Sequence, residues 1–451
     1  MYTEQQREII EHTPSNTSIY ASPGSGKTTV LTEHIAWQLK HRHVPAGRML
    51  ALTFTRQSAL DMKQRMRKRG LADGDVGALP LGTFHSQAFR MLLAHTPNIP
   101  VILGQLEQRQ LMRAAAQKFG VGDMDTVRRL LLANTRKKSV WPVDSAMGGV
   151  EGAVLTRYEH MKARAHRWDF DDILVAFAQT LEEHGAELPA FDYLLVDEYQ
   201  DTNPIQWAIV RLLVHQSRCP VFVVGDDDQS IYGFRGASPS GLLDFQLSYH
   251  DARCHRLSTN FRSDRSIVLA AVRLIAHNRH RMEKQMQAFS AAPGRCGTHL
   301  WPSEAAEAVG VAGLVRQARR YDSGADVAIL ARTRRQLLAA WRACQGVVPD
   351  AMPQFRTFHD AKGKEWDIVH IVGAVAQNPY LANDDTSLFR RKKSAPALDG
   401  QAEEEERRLF YVAMTRARHV LWVHAPKRCA AGKARLSPYA AEAGLRTMEP
   451  G

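Results

Sequence analysis

A glycine-rich loop near the N-terminus constrains the fold more than any other feature of the chain. Residues 21–28 read Ala-Ser-Pro-Gly-Ser-Gly-Lys-Thr; the apolar residues 18–20 before them predict a strand, and residues 29–39 after them predict a helix. This order points successive backbone N–H groups and a helix N-terminus at one place, which suits a phosphate group. Gly24 and Gly26 permit backbone angles that a side chain would block. The pattern predicts an α/β fold with a phosphate-binding loop.

Two polar residues of this loop have expected chemical tasks. Lys27 would reach the β- and γ-phosphates of a nucleotide, and the Thr28 hydroxyl would bind Mg²⁺. The strict pattern begins with glycine, and Ala21 stands there instead, so the loop alone leaves open a turn before an ordinary helix. A later apolar strand ends in Asp197 and Glu198, the pair of carboxylates that a magnesium-nucleotide requires beside such a loop. Together the two half-sites predict a nucleoside triphosphatase.

The composition fits a globular protein with a polyanionic partner. At 451 residues, with 44% hydrophobic and 24% charged residues, the length suggests about three domains. The 59 Lys and Arg exceed the 47 Asp and Glu, which favours nucleic acid first and an anionic membrane second, although a solubilising surface explains the excess equally well. The five cysteines form no Cys-x-x-Cys pair, so neither a disulfide framework nor a zinc site is indicated.

The chain shows no sign of export or membrane insertion. Its N-terminus lacks the basic start and apolar stretch of a signal peptide, and no apolar run approaches the length of a membrane span. We therefore expect a cytoplasmic protein that does not bind a membrane.

Apolar runs alternate with amphipathic stretches along most of the chain. Strands are predicted over residues 48–54, 193–197, 221–225, 327–331 and 367–372. This alternation predicts parallel sheets covered by helices, which bind ligands at the carboxyl ends of their strands.

Two regions depart from this alternation. Residues 97–165 are basic, show helical periodicity over 105–119 and 125–138, and contain no predicted strand, which predicts a helical insertion into the first α/β domain. Residues 376–404 contain Asn-Pro, Asp-Asp and a run of four basic residues, which predicts a mobile loop.

Nine further segments complete an ordered set of motifs. They are QRE (6–8), LTFT (52–55), GTFH (82–85), DFDD (169–172), VDEYQDT (196–202), GDDDQSIY (225–232), NFRS (260–263), TFHDAKGKE (357–365) and YVAMTRA (411–417). From residue 3 to about 425 the chain closely resembles the UvrD/Rep/PcrA family of superfamily 1 DNA helicases, in which Ala21 is normal.

The resemblance implies two RecA-like parallel-sheet motor domains in tandem. The first would comprise residues 1–96 and 166–250, interrupted by the helical insertion 97–165, and the second residues 251–451. One motor domain would bind ATP, and arginines of the other would promote its hydrolysis.

For the ATP site, the resemblance assigns roles beyond the loop. Asp197 would hold Mg²⁺ together with Thr28, and Glu198 would orient or deprotonate the attacking water. The simpler alternative is that both acids cap a helix. Gln229 would contact the γ-phosphate, while Arg262 and Arg416 would stabilise charge in the transition state. The remaining contacts to ATP would come from Gln6 (adenine), Phe261 (base stacking, where relatives usually have Tyr), Glu365 (ribose), Ser22, Gly24, Ser25, Gly26, Thr29 (where relatives often carry Arg) and Gly363.

For the DNA site, the resemblance implies aromatic platforms and donors to phosphate. The platforms would be Phe54, Tyr232 and Phe234, although an aromatic residue at a strand end also occurs as ordinary core. Backbone or base contacts would come from Thr55, Thr83, His85, Arg235, Thr357 and His359.

The chain lacks two features of the large relatives. Only one predicted helix separates Thr333 from Thr357, which leaves no room for the accessory domain. Residues 425–437, where relatives have a hairpin with an aromatic tip, are basic without an aromatic. Translocation on single strands is therefore better supported than strong autonomous unwinding.

Three functional hypotheses remain at this point. The first is an ATP-driven 3′→5′ translocase on single-stranded DNA with helicase activity on tailed duplexes, which fits a role in DNA repair. The second is the motor subunit of a larger nuclease, repair or phage-defence complex that needs a protein partner for unwinding. The third is a nucleotide-gated DNA-binding protein without turnover.

Overall fold

A computed structural model describes residues 2–96, 98–143, 148–249, 251–376, 378, 400–430 and 432–448. Their contacts divide the chain into two compact units. The first unit contains Met1–Tyr20, Lys27–Asp227 and Tyr232–Leu257, and the second contains Ala21–Gly26, Asp228–Ile231 and Ser258–Gly451. Two short segments from the first half of the chain thus pack with the second unit.

The first half of the chain builds a six-stranded sheet. Its strands are β1 (Thr17–Ala21), β2 (Met49–Thr53), β3 (Leu81–Thr83), β6 (Tyr193–Val196), β7 (Val221–Gly225) and β8 (Arg253–Leu257), and a separate pair is formed by β4 (Val101–Ile102) and β5 (Arg167–Trp168). The order across the sheet is β3-β2-β6-β7-β1-β8. Neighbours from β3 to β1 run parallel.

Helices connect these strands, as parallel pairing requires. They are α1 (Glu4–Ile10), α2 (Lys27–His41), α3 (Arg56–Lys68), α4 (Asp73–Ala78), α5 (Phe84–His95), α6 (Gln105–Gln117), α7 (Met124–Lys138), α8 (Gly149–Arg164), α9 (Asp172–His184), α10 (Pro204–Ser217), α11 (Ser240–Leu243) and α12 (Phe245–Ser248). Every residue of β1, β2, β6 and β7 is buried, which is why these strands read as continuous apolar runs.

The predicted insertion contains three helices around a small core of its own. Met112 of α6, Val127 and Leu130 of α7, and Val154 and Tyr158 of α8 form this core. The expectation that residues 97–165 contain no strand was wrong, because β4 lies within them and pairs in parallel with β5. A strand of two partly exposed residues has no periodicity that the sequence could reveal.

Two buried lysines join the insertion to α9. Nζ of Lys138 and Nζ of Lys162 both donate to Oδ2 of Asp169, at 2.9 and 2.8 Å, and both also contact the carboxylate of Asp172. Asp169 is fully buried. Because the lysines compensate the carboxylates, this cluster reads as a structural ion network.

The second half of the chain builds another six-stranded sheet, in the order β13-β12-β14-β15-β11-β18 with parallel pairing. Its strands, with two short pairs beside it, are β9 (Thr259–Asn260), β10 (Gln287–Ala288), β11 (Arg295–Trp301), β12 (Val327–Ala331), β13 (Gln354–Thr357), β14 (Trp366–Ile371), β15 (Ala417–Pro426), β16 (Arg428–Cys429), β17 (Gly432–Lys433) and β18 (Thr447–Met448). The helices are α13 (Arg265–Ile275), α14 (Glu304–Tyr321), α15 (Arg334–Val347), α16 (Gly400–Met414) and α17 (Pro438–Glu442). The α/β prediction is therefore confirmed, with two parallel-sheet domains in tandem.

Three expectations for the second half can be compared with these elements. The fully described segment between β12 and β13 holds only α15 and one 3₁₀ turn. Strands β16 and β17 pair antiparallel, with Arg428 opposite Lys433 and Cys429 opposite Gly432. Most of the predicted mobile loop over 376–404 lies outside the described residues, but its last part was predicted wrongly, because α16 begins at Gly400. Among the described residues, the structure contains no helix long and apolar enough to cross a membrane.

Candidate nucleotide and nucleic-acid site

Three neighbouring strands of the first sheet end in the predicted nucleotide-binding residues. β7 lies between β6 and β1. The phosphate-binding loop follows β1, Asp197 follows β6, and the acidic segment that begins at Asp226 follows β7. Carboxyl ends of parallel strands lie at one edge of a sheet, so residues that are far apart in sequence converge there.

The glycine-rich loop has the backbone geometry that its sequence predicted. Gly24 and Gly26 adopt φ angles of +68° and +85°, which disfavour any side chain. The backbone N–H of Phe261 donates to the Gly24 carbonyl at 2.9 Å. A Cβ on Gly24 would lie 2.7 Å from Cβ of Arg262, so this glycine is also required by close packing. Oγ of Ser22 is buried and has no hydrogen-bond partner among the described residues, which leaves it available to a ligand.

Lys27 is the first residue of α2 and faces an acidic partner. Its Nζ lies 3.8 Å from Oδ2 of the fully buried Asp226. This distance is a loose ion pair, and a phosphate group would offer the ammonium a closer anion.

The two carboxylates after β6 differ in their surroundings. Asp197 is buried, and its Oδ1 accepts the backbone N–H of Glu198 at 3.0 Å. Glu198 has a φ of +51°, a left-handed conformation that is uncommon for residues other than glycine and clusters at functional sites. The strand end therefore holds Glu198 in a conformation that the local sequence would not choose.

Gln200 connects this strand end with the next one. Its Nε2 donates to Oε2 of Glu198 at 2.5 Å, and its Oε1 accepts the backbone N–H of Asp226 at 2.9 Å. A Cβ on Gly225 would lie 2.6 Å from the same Oε1. Gln200 lies in the motif VDEYQDT (196–202), but the motif alone predicted no role for it.

Gln229 and Arg416 are in direct contact. Nη2 of Arg416 donates to Oε1 of Gln229 at 3.1 Å, and Arg416 is only 1% exposed. Its Nε donates to the Val412 carbonyl at 2.8 Å, which fixes the guanidinium. Nζ of Lys362 donates to the Gln229 carbonyl at 2.7 Å. Gln229 is thus held at both its side chain and its backbone.

Arg262, the other arginine predicted to stabilise the transition state, forms an ion pair with Glu365. Its Nε donates to Oε2 of Glu365 at 2.5 Å, and Nη2 of Arg418 donates to Oε1 of Glu365 at 2.7 Å. Burial alone would raise the pKa of Glu365, but the hydrogen bonds and positive charges of Arg418 and Arg262 outweigh it and lower this pKa to about 2. Oδ1 of Asn260 accepts the backbone N–H groups of Arg262 and Ser263, both at 2.8 Å.

The residues predicted to contact base and sugar have local partners as well. Oε1 of Gln6 accepts the Thr3 N–H in a capping box of α1. The Phe261 ring is 41% exposed and lies 4.9 Å from the ring of Phe289.

Two further predicted contacts lie in loop and helix positions. Gly363 adopts a φ of +77°. Nη1 of Arg65 on α3 donates to Oγ1 of Thr29 at 2.9 Å, so an arginine from another helix stands beside the position where relatives often carry one.

The predicted aromatic platforms form one cluster. The rings of Phe54 and Tyr232 stack at 4.9 Å, and Phe234 lies 6.1 Å from Tyr232. The Arg235 guanidinium lies over both Tyr232 and Phe234, at 5.9 and 5.4 Å. Phe234 is only 8% exposed, and its carbonyl accepts from Arg136 of α7 at 3.1 Å. Tyr232 and Phe54 are therefore the more accessible platforms.

Three of the predicted polar contacts to DNA act in local turns. Thr55 and Thr83 cap α3 and α5 through their hydroxyl oxygens. Oγ1 of Thr357 donates to Oδ2 of Asp360 at 2.8 Å. His359, which lies between these two residues in sequence, is partly buried.

His85 stacks on an exposed aromatic residue. Its ring lies 4.0 Å from that of Phe170, and burial lowers the His85 pKa to about 4. Phe170 is half exposed and had no predicted role beyond its motif, so it adds an aromatic surface that sequence reasoning missed.

Comparison with known proteins decides the family. Residues 2–250 match the UvrD/REP helicase N-terminal domain, and residues 354–428 match the UvrD-like helicase C-terminal domain. The chain belongs to the UvrD/Rep helicase family. This family membership confirms the resemblance carried by the ordered motifs.

Individual relatives extend this family match. The chain is similar to the ATP-dependent DNA helicase PcrA of Leuconostoc citreum, with 30% identity over 415 residues that cover 87% of this chain and 54% of the relative. It is also similar to PcrA of Staphylococcus aureus strain Mu50, with 29% identity over 410 residues, 86% of this chain and 55% of that protein. The chain spans about half the length of these curated relatives.

Proposed function

We propose that the protein is an ATP-driven translocase on single-stranded DNA with DNA helicase activity, moving 3′→5′. The similarity to PcrA helicases supports the use of ATP and DNA, and the direction rests on the family alone. We further propose a cytoplasmic location and two RecA-like motor domains, residues 1–96 with 166–250 and residues 251–451, with the insertion over 97–165.

The contact between Arg416 and Gln229 is the observation that carries this proposal. Gln229 follows strand β7 and precedes the aromatic platform residue Tyr232 by only three positions. An arginine that stabilises phosphoryl transfer and a residue that adjoins the DNA platform are therefore joined by one short segment. A protein that couples hydrolysis to movement on DNA requires such a link.

The residues of the loop and the strand ends fit ATP and Mg²⁺. The two glycines have the left-handed φ angles of a phosphate-binding loop, the Ser22 hydroxyl lacks a partner among the described residues, and Lys27 forms a loose ion pair with Asp226. Thr28 and Asp197 would bind Mg²⁺, which would neutralise charge on the β- and γ-phosphates.

In the proposed reaction the chain's own residues have separate tasks. Lys27 binds phosphate oxygens, Glu198 orients the attacking water and accepts its proton, and Gln229 positions the reacting group. Arg416 stabilises negative charge in the transition state, an effect that is worth roughly 10³–10⁵ in rate for arginine fingers.

Two assays test the proposal. ATP hydrolysis by the purified protein is measured with and without single-stranded DNA, and displacement is measured on duplexes with a 3′ or a 5′ tail. We expect DNA-stimulated hydrolysis and displacement only from the 3′ tail. A rate that does not respond to DNA would favour a nucleotide-gated binding protein, and displacement from the 5′ tail alone would refute the direction.

A second candidate is the motor subunit of a larger nuclease, repair or phage-defence complex. Two observations favour it: only α15 and one turn stand between β12 and β13, and hairpin β16–β17 contains no aromatic residue. This candidate predicts DNA-stimulated hydrolysis while a 3′-tailed duplex stays intact until a protein partner is added.

A further inference from the structure

The Asp228 carboxylate binds two cationic side chains from a segment about fifty residues later in the chain. Nε and Nη2 of Arg281 donate to its two carboxylate oxygens, both at 2.8 Å, and Nζ of Lys284 lies 2.9 Å from Oδ2. Asp228 is 1% exposed and Lys284 is also buried. Arg281 and Lys284 lie between α13 and β10 and belong to none of the motifs described above.

A fork of this kind fixes orientation as well as charge. Two parallel N–H···O bonds from one guanidinium allow little rotation of the carboxylate, whereas a lysine ammonium acts as a point charge. The next residue in the chain is Gln229, whose backbone carbonyl accepts from Lys362 and whose side chain accepts from Arg416. Residues 228 and 229 are therefore held by four cationic side chains.

The segment that carries Arg281 is anchored to the helix that leads to Arg416. Oε1 of Glu404 on α16 accepts the backbone N–H groups of Arg279 and His280, at 2.7 and 3.3 Å. Nη2 of Arg408, also on α16, donates to the His280 carbonyl at 2.8 Å. α16 ends two residues before Arg416. A closed circuit of contacts thus runs from Arg416 through Gln229, Asp228 and Arg281 back to α16.

We propose that Arg281 and Lys284 are positioning residues that hold Gln229 against Arg416 through Asp228. This inference rests on the proposed ATPase function. Neither residue acts on the substrate; both set where the Gln229 amide lies. Tyr232 of the proposed DNA platform follows this segment in sequence. The contacts of Arg281 and Lys284 with Asp228 therefore also limit the movement of the segment that connects the platform with Gln229.

The main test replaces the fork but keeps its charge. Arg281→Lys should lower the DNA-stimulated kcat about tenfold, with the KM for ATP, the affinity for single-stranded DNA and the Tm close to wild type. Arg279→Gln, an exposed neighbour in the same segment, is the matched control and should behave as wild type. A wild-type kcat in Arg281→Lys, or a kcat loss matched by a large fall in Tm, would overturn the positioning role.

A cycle with Gln229 separates positioning from a general effect. If Arg281 acts through Gln229, Arg281→Lys should change kcat little in a Gln229→Ala background, and fully multiplicative losses would contradict the circuit. If a variant with a single substitution does not fold, the double variant Asp228→Asn, Arg281→Gln removes the negative and the positive charge of this ion pair together. It should show the same loss of kcat.

One readout is independent of hydrolysis. Hydrogen exchange of residues 228–234 should quicken in Arg281→Lys and stay unchanged in Arg279→Gln, and equal exchange in all three proteins would overturn the inference even in an inactive protein. If the wild-type protein shows no DNA-stimulated hydrolysis, the proposed function is refuted. The exchange measurement would then still test whether Arg281 fixes residues 228–234.

Discussion

Oε2 of Glu365 accepts the Nε–H of Arg262 at 2.5 Å, so a predicted ribose ligand and a predicted transition-state arginine hold each other. Arg418 completes the arrangement at the other carboxylate oxygen. Removal of the acid therefore changes the orientation of Arg262 as well as any contact with the sugar.

The pH dependence of stability should report this pair. The folded pKa of Glu365, about 2, is below its ordinary value of 4.5, so the pair stabilises the fold above pH 4.5 and loses its effect as the pH falls toward 2. Glu365→Gln should be less stable than wild type at pH 7, and this difference should shrink in acid when the Tm is followed. The exposed Glu151→Gln controls for loss of one acidic charge, and a difference independent of pH would contradict the assignment.

Substitutions of the proposed phosphate ligand Lys27 and the proposed general base Glu198 should separate ATP binding from turnover. Lys27→Ala should lose both ATP affinity and hydrolysis, because we propose that the Lys27 ammonium binds the phosphate oxygens of ATP. Glu198→Gln should retain ATP binding while hydrolysis falls by roughly 10²–10⁴, the usual contribution of a general base. Equilibrium binding of a fluorescent ATP analogue and steady-state hydrolysis measure the two effects. The exposed Lys68→Ala serves as control, and a normal rate in either variant would refute the site.

Tyr232 and Phe234 should respond differently to truncation. Stacking on an aromatic is worth about 1–3 kcal/mol per base, so Tyr232→Ala should weaken single-stranded DNA binding about tenfold with little change in Tm. Phe234 is nearly buried, and Phe234→Ala should also lower the free energy of unfolding, by about 3 kcal/mol. In both variants DNA stimulation should fall more than basal hydrolysis. The exposed Phe119→Ala is the control, and equal loss of basal and stimulated rates would argue against a platform.

Buried histidines in the second sheet should destabilise the fold in mild acid. Nε1 of Trp301 donates to Nδ1 of His424, so His424 donates through Nε2 to Nδ1 of His370, 3.0 Å away. Burial, helped by the neighbouring His299, lowers the His370 pKa from 6.5 to about 3.

The sign of this effect follows from proton binding. The unfolded chain binds a proton at His370 below pH 6.5 and the folded protein does not, so acid favours unfolding by about 2 kcal/mol between pH 7 and pH 5. In urea titrations at several pH values, His370→Gln should remove this contribution from the pH dependence of the free energy of unfolding. Parallel stability curves for the two proteins would contradict the neutral assignment.

The ion network of the insertion should be sensitive to loss of one lysine. Lys162→Met leaves the buried Asp169 with a single cation and should cost about 3–5 kcal/mol in the free energy of unfolding. Lys118→Met, at an exposed position of the same insertion, should change it by less than about 0.5 kcal/mol. Similar unfolding curves for the two variants would show that the network contributes little.

Local sequence patterns predicted the elements of the fold well. The buried strands Val221–Gly225 and Val327–Ala331 occur where the apolar runs placed them, because a strand buried on both faces leaves a continuous signal. The short pair β4–β5 left none. Likewise α16 begins inside a stretch whose polar and basic composition suggested only a loop.

The side-chain partnerships of the site could not be read from the sequence in the same way. Arg281 meets Asp228 across 53 positions, and Arg65 reaches Thr29 across 36, with no periodicity that connects either pair. Gln200 stood in a recognised motif, but its bridge between two strand ends depends on the register of β6 and β7. Such contacts follow from tertiary packing alone.

The order of strands in the first sheet has a consequence for biosynthesis. β1 lies between β7 and β8, so its partners end at Gly225 and Leu257, more than two hundred positions later in the chain. During synthesis β1 therefore emerges well before both of its partners, and this apolar strand stays unpaired until they have followed it. During that interval the nascent protein exposes an unpaired apolar strand, and such a strand makes an incompletely folded chain prone to aggregation.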